Sequence, residues 1–89
     1  MIAKQVIITG RVQGVGYRAW MVAQAGAMGL DGWVRNLPDG SVEALVAGDT
    51  PVVEEMLRQC RRGPRMAMVV SITEELVEPP EEVGFRLVG

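Results

Sequence analysis

The sequence predicts an α+β fold of the ferredoxin-like, split β-α-β type. Two helices lie on one face of a mostly antiparallel sheet, in the order β-α-β-β-α-β with a short extra C-terminal strand. Three observations carry this prediction. Short runs rich in β-branched residues alternate with two segments of helical spacing. Pro38-Asp39-Gly40 places a tight turn between two of the runs. Glycines punctuate the passage from the first run to the first helix, and Gly63-Pro64 ends the second helix.

Taken in order, Gln5 to Val12 forms the first strand. Val6, Ile8 and Val12 share one face, and Ile7 on the other points to a central position in the sheet. Ala19 to Met28 is the first helix, favoured by its alanines, with Gly29 as its stop. Trp33 to Leu37 and Ser41 to Ala47 are the second and third strands and form a hairpin. In the third, Val42, Ala44 and Val46 face one way and Glu43 the other. Asp49 or Thr50 caps the second helix, with Pro51 in its first turn. Val52, Val53, Met56, Leu57 and Cys60 keep helical spacing, and Arg58, Arg61 and Arg62 complement the dipole near its end. Arg65 to Thr73 is the fourth strand, Glu74 to Glu82 a polar loop, and Val83 to Val88 the last strand.

Right-handed crossovers make the first and second strands parallel, with the third antiparallel between them. Their C-terminal ends therefore lie at one edge of the sheet. The glycine loop follows the first strand and Asn36 ends the second, so Arg18 and Asn36 should meet in space.

That loop, Gly10 to Arg18, is GRVQGVGYR. Glycines reach positive φ without steric cost and turn backbone N–H groups inward. Converging N–H groups at a helix start attract anions. Arg18 adds a permanent charge on a planar fork that fits a phosphate. The residues thus describe an oxyanion cradle with one arginine. Glycine spacing alone favours a tight turn with a solvent-facing arginine, because lone glycine-rich turns are common.

With 89 residues, 48% of them hydrophobic, the chain makes one domain over residues 1–89 with a modest core. No apolar run approaches the roughly 20 residues that span a bilayer, and MIAKQVIITG is too strand-like for a signal peptide. A soluble, cytoplasmic protein is expected, with no membrane partner. A single cysteine excludes an internal disulfide. The net charge of −2 argues against nucleic acid as a partner. Residues 1–30 hold Lys4, Arg11 and Arg18 and no acid, as a small-anion site prefers, whereas residues 74–82 hold five Glu and no base. Trp20 and Trp33 are expected in the core or between helix and sheet. Met21, Met28, Met56, Met66 and Met68 are expected as core filler, and Arg35 on the surface.

Without histidine, Ser-His-Asp and Cys-His catalysis and histidine metal sites are excluded. Lys4 has no Walker A context, and Cys60 sits on an apolar helical face as a core residue. Any catalysis must use an arginine, an amide and backbone N–H groups. Such a set serves a reaction whose leaving group needs little help.

Together these segments resemble the acylphosphatase family: VQGVGYR (Val12–Arg18), AGAMGL (Ala25–Leu30), GWVRN (Gly32–Asn36), DGSVE (Asp39–Glu43), Gly48 and Gly63-Pro64. The similarity runs in register over nearly the whole chain, and the pairing of VQGVG[FY]R with GWVxN at this spacing is highly specific. Tyr17 stands where the family more often has Phe. The resemblance implies metal-independent hydrolysis of acyl phosphates to a carboxylate and inorganic phosphate, with no cofactor and no phosphoenzyme. It implies that Arg18 and the loop N–H groups bind the phosphoryl group, with Gln13, Gly14, Val15, Gly16 and Tyr17 forming the rest of the substrate site. It implies that Asn36 positions the attacking water. An acyl phosphate is then the expected substrate, and inorganic phosphate or sulfate the expected anion ligand.

Two other classes compete. A non-catalytic anion-binding regulatory module could use the same fold, although the presence of both Arg18 and Asn36 favours the enzyme. An RNA-recognition module needs exposed aromatics on the central strands and a basic face, and neither is present. Nothing in the sequence calls for an obligate dimer, so a monomer is expected.

Overall fold

One face of the sheet is apolar in every central strand, and both helices fold onto it. The computed structural model describes residues 1–89, in the order β1 (Ile2–Arg11), α1 (Tyr17–Ala27), β2 (Asp31–Asn36), β3 (Val42–Gly48), α2 (Thr50–Arg62), β4 (Met68–Val77) and β5 (Phe85–Leu87). The sheet order is β4-β1-β3-β2-β5. All pairs are antiparallel except β2 with β5. As expected, β3 lies between β1 and β2.

Period-two alternation sets the core. Val6 and Ile8 of β1, Val34 of β2, and Val42, Ala44 and Val46 of β3 are all fully buried. They form one cluster with Met21 and Ala25 of α1 and Val53, Met56, Leu57 and Cys60 of α2. The expected facing of β3 holds: Glu43 lies on the open face, where it takes 2.6 and 2.7 Å bonds from Gln5 and Arg35.

Several expected boundaries move. Strand β1 begins at Ile2, since Ala3 pairs with both Ala47 and Val77 although it lacks a β-branched side chain. Helix α1 begins at Tyr17, two residues before the expected Ala19, because Gly16 adopts the left-handed conformation and serves as its N-cap. Asp49 rather than Thr50 caps α2, and its carbonyl accepts from Val52 and Val53 at 2.9 and 3.0 Å.

The largest change is in β4. Residues 65–67 form a turn, closed by Ala67 N–H on the Pro64 carbonyl at 3.0 Å. The strand then runs to Val77, four residues beyond the expected end, because β1 offers an unbroken ladder from Ala3 to Val6. Residues 74–77, the first four of the nine in the expected acidic loop, are therefore strand. Glu74 there binds Lys4 at 2.9 Å and reaches Arg61 at 3.6 Å. The turn also exposes Met66 and Met68, which are surface residues and not core filler. Trp33 is a second correction, because alternation with buried Val34 puts it on the open face. There the Arg35 guanidinium lies over its ring at 5.4 Å.

Burial pushes the Cys60 thiol up to about 12 and raises Tyr17 as well. Both groups are neutral when folded, while in the unfolded chain they ionise near 9.0 and 10.0. Stability from this source is full below pH 9.0 and is lost as pH rises toward about 12. Urea midpoints should hold steady from about pH 7 to 9 and fall above that; a midpoint unchanged at the alkaline end would contradict the burial of both groups.

Candidate active site

The turn from β1 into α1 is built on two glycines. Gly14 and Gly16 have φ of 74° and 81°, and Val15 between them is negative, since no other residue type in the protein has positive φ. A Cβ at either glycine would meet nothing within 4 Å. Backbone conformation, not space, therefore requires them. Alternating φ signs turn successive N–H groups to the same side as an anion-binding nest. The N–H groups of Gly14, Val15 and Gly16 donate to no other backbone group. Those of Tyr17, Arg18 and Ala19 occupy the first helical turn, where no intrahelical acceptor exists. The positive end of the helix dipole adds to the same field.

Arg18 sits in that first turn, half-buried. The five ion pairs of the protein engage Lys4, Arg35, Arg58, Arg61 and Arg86, and Arg18 is in none of them. Asn36 is the last residue of β2 and also half-buried. Its Oδ1 is fully buried and accepts no hydrogen bond. A buried carbonyl oxygen in that state has a strong free-energy preference for a donor.

These groups meet in one cavity of about 170 Å³. Gln13, Gly14, Gly16, Arg18 and Asn36 make its polar side, and Val12, Tyr17, Ala19 and Leu87 its apolar side. The expected approach of Arg18 to Asn36 is therefore present. Val15, expected in the site, is not part of this lining; its side chain packs on the core. Tyr17 is buried, donates its hydroxyl to the Cys60 carbonyl at 2.6 Å and meets Trp20 edge-on at 5.3 Å. Its phenol is thereby committed to holding the helix start. Gln13 gives its amide to the Leu37 and Ser41 carbonyls, both at 2.8 Å. A larger cleft of about 660 Å³ between α1 and the end of α2 shares none of these residues.

Ala19 and Leu87 were not among the expected site residues. Leu87 arrives because β5 lies parallel beside β2, opposite Val34. The apolar run of the last strand was visible in the sequence, but its partner was not.

No carboxylate, thiol or imidazole lines the cavity. A small oxyanion would find a cation and N–H donors there, and a water molecule would find the Asn36 side chain in the same lining.

The family model described as acylphosphatase matches residues 4–87. The acylphosphatase of Acidiphilium cryptum is 62% identical over 85 residues, covering 96% of this chain and 93% of that protein. Among solved structures, the acylphosphatase of Bacillus subtilis superposes with a TM-score of 0.94 at 31% identity, with full coverage of both chains. Full-length HypF, solved in its phosphate- and nucleotide-bound form, matches with a TM-score of 0.86 at 28% identity over 99% of this chain and 12% of HypF.

Because Gly16 is needed for its φ, Gly16→Ala should cost about 1–2 kcal/mol in urea denaturation. An unchanged stability would show that the loop does not need the left-handed conformation.

Proposed function

The chain belongs to the acylphosphatase family, and from that premise we propose how its own residues hydrolyse an acyl phosphate. The observation that carries the proposal is the shared cavity, lined by Arg18 without an acidic partner, a loop of free N–H groups and the Asn36 side chain. The phosphoryl group lies on the loop, with Arg18 holding two of its oxygens as a fork. The Asn36 side-chain amide hydrogen-bonds the attacking water and holds it in line with phosphorus.

Water oxygen bonds to phosphorus as the bond from phosphorus to the acyl oxygen breaks. The electron pair leaves with the carboxylate, and inorganic phosphate is the second product. A carboxylate is a good leaving group, so no general acid is required. Phosphoryl transfer is catalysed mainly by positioning and by stabilising charge on the equatorial oxygens. Arg18 and the N–H nest supply that charge term. The cavity offers no side-chain base: arginine is a permanent cation, and the Tyr17 phenol is committed to Cys60. The water's proton passes to a phosphoryl oxygen of the substrate. The lining also offers no ligand set for a metal, which supports a metal-independent reaction.

Phosphate release from benzoyl phosphate in the presence of a chelator tests this. Arg18→Ala should lose about 10²–10³-fold in turnover, by analogy with removing a donor to a developing oxyanion. Asn36→Ala should lose about 100-fold in turnover while inhibition by inorganic phosphate changes little. Equal loss of turnover and phosphate binding in Asn36→Ala would refute this division of roles. A folded wild type that binds phosphate but turns over no acyl phosphate would leave an anion-binding module instead.

A further inference from the structure

We infer that Gln13 is a positioning residue: its amide clamps the anion loop to the turn after Asn36 and so fixes where the held water stands relative to the phosphoryl group. The inference rests on the acyl phosphate reading above. It starts from a gap in the sheet. The loop follows β1 and Asn36 ends β2, but β3 lies between these strands. No backbone ladder therefore joins the two halves of the site.

Gln13 bridges that gap. Its Nε2 donates to the Leu37 and Ser41 carbonyls, both at 2.8 Å. Those carbonyls frame the β2–β3 turn: Ser41 O accepts from Leu37 N–H at 2.9 Å, and Leu37 O accepts from Gly40 N–H at 3.2 Å. Each carbonyl has a second lone pair, and the two amide hydrogens of Gln13 fill both. The turn receiving them is stiff, because the Asp39 carboxylate accepts from the Ser41 N–H at 2.9 Å and from its hydroxyl at 2.5 Å. Leu37 follows Asn36, and Ser41 precedes Val42, which pairs with Asn36 across the ladder. The clamp thus grips the hairpin one residue beyond the Asn36–Val42 pair on each strand.

The same bonds argue against a direct role in holding the anion. Both donors of the amide are spent on the hairpin, and its remaining oxygen is an acceptor that a phosphoryl dianion repels. Gln13 lines the cavity and acts on the reaction through Asn36. A displacement of about 1 Å between reacting groups costs on the order of 100-fold in rate, so a clamp of this kind has leverage on turnover.

A double-mutant cycle tests the inference with benzoyl phosphate as substrate and inorganic phosphate as inhibitor. Gln13→Ala should lower kcat by about tenfold to a hundredfold. The inhibition constant for phosphate should move by less than about threefold, because the loop N–H groups and Arg18 remain. Gln13→Glu preserves the side-chain shape, removes both donors and should match Gln13→Ala. In an Asn36→Ala background, Gln13→Ala should remove little further activity, since no positioned water is left to misalign. Full additivity of the two substitutions would overturn the inference. So would an unchanged kcat in Gln13→Glu, or a loss of phosphate binding in step with kcat. Absence of turnover in the wild type would remove the functional reading itself, and this inference with it.

Discussion

One constraint organises the molecule: a sheet with one apolar face must bury it, and only two helices are available to cover it. Val6, Ile8, Val42, Ala44 and Val46 supply that face at full burial. Right-handed crossovers bring α1 and α2 to the same side of it. The strand order puts β3 between β1 and β2 and brings the ends of those two parallel strands to one edge. The cavity at that edge follows from how the core is closed. Tyr17 shows the coupling at a single residue. Its ring is sealed in the core and its hydroxyl is tied to the far end of α2, while its backbone opens the turn that carries Arg18.

Features coded by local chemistry were legible in the sequence. The positive φ of Gly14 and Gly16 follows from residue type and spacing. The β2–β3 hairpin follows from Pro38-Asp39-Gly40, and the inward face of β3 from alternation around Glu43. What depended on a distant partner was not legible. β4 continues through Glu74 and Glu75 because β1 supplies ladder partners there, against the local preference of glutamate for a loop. Trp33 lies on the open face because Val34 wins the core position. Of the site, Arg18 and Asn36 could be named from the chain. The carbonyls that hold Gln13 and the wall supplied by Leu87 could not, since both require knowing which segments are neighbours.

The electrostatics of the site are unusual in what they omit. Lys4, Arg35, Arg58, Arg61 and Arg86 have acidic partners; Arg11, Arg18, Arg62 and Arg65 have none, and of these four only Arg18 lines the cavity. A carboxylate beside Arg18 would steady the folded protein and compete with any anion for its charge. Its charge is instead left available, with dipoles of the loop pointing the same way. A site that stabilises charge without proton-transfer groups is restricted to substrates whose bonds already break readily.

The acidic residues of β4 have a consequence for self-association. This strand is ten residues long and forms one border of the sheet. Its outer rim carries unpaired backbone donors and acceptors, and Met68, Val70 and Leu76 are 69%, 77% and 69% exposed. A long, apolar, unprotected rim invites another chain to add to it. Glu75, by lying in the strand rather than beyond it, places negative charge along that rim, beside Glu74, which is paired with Lys4 and Arg61. Like charges brought together when two copies align oppose the pairing. A glutamate that made the segment look like a loop thus acts as a gatekeeper along an edge that another chain could otherwise extend.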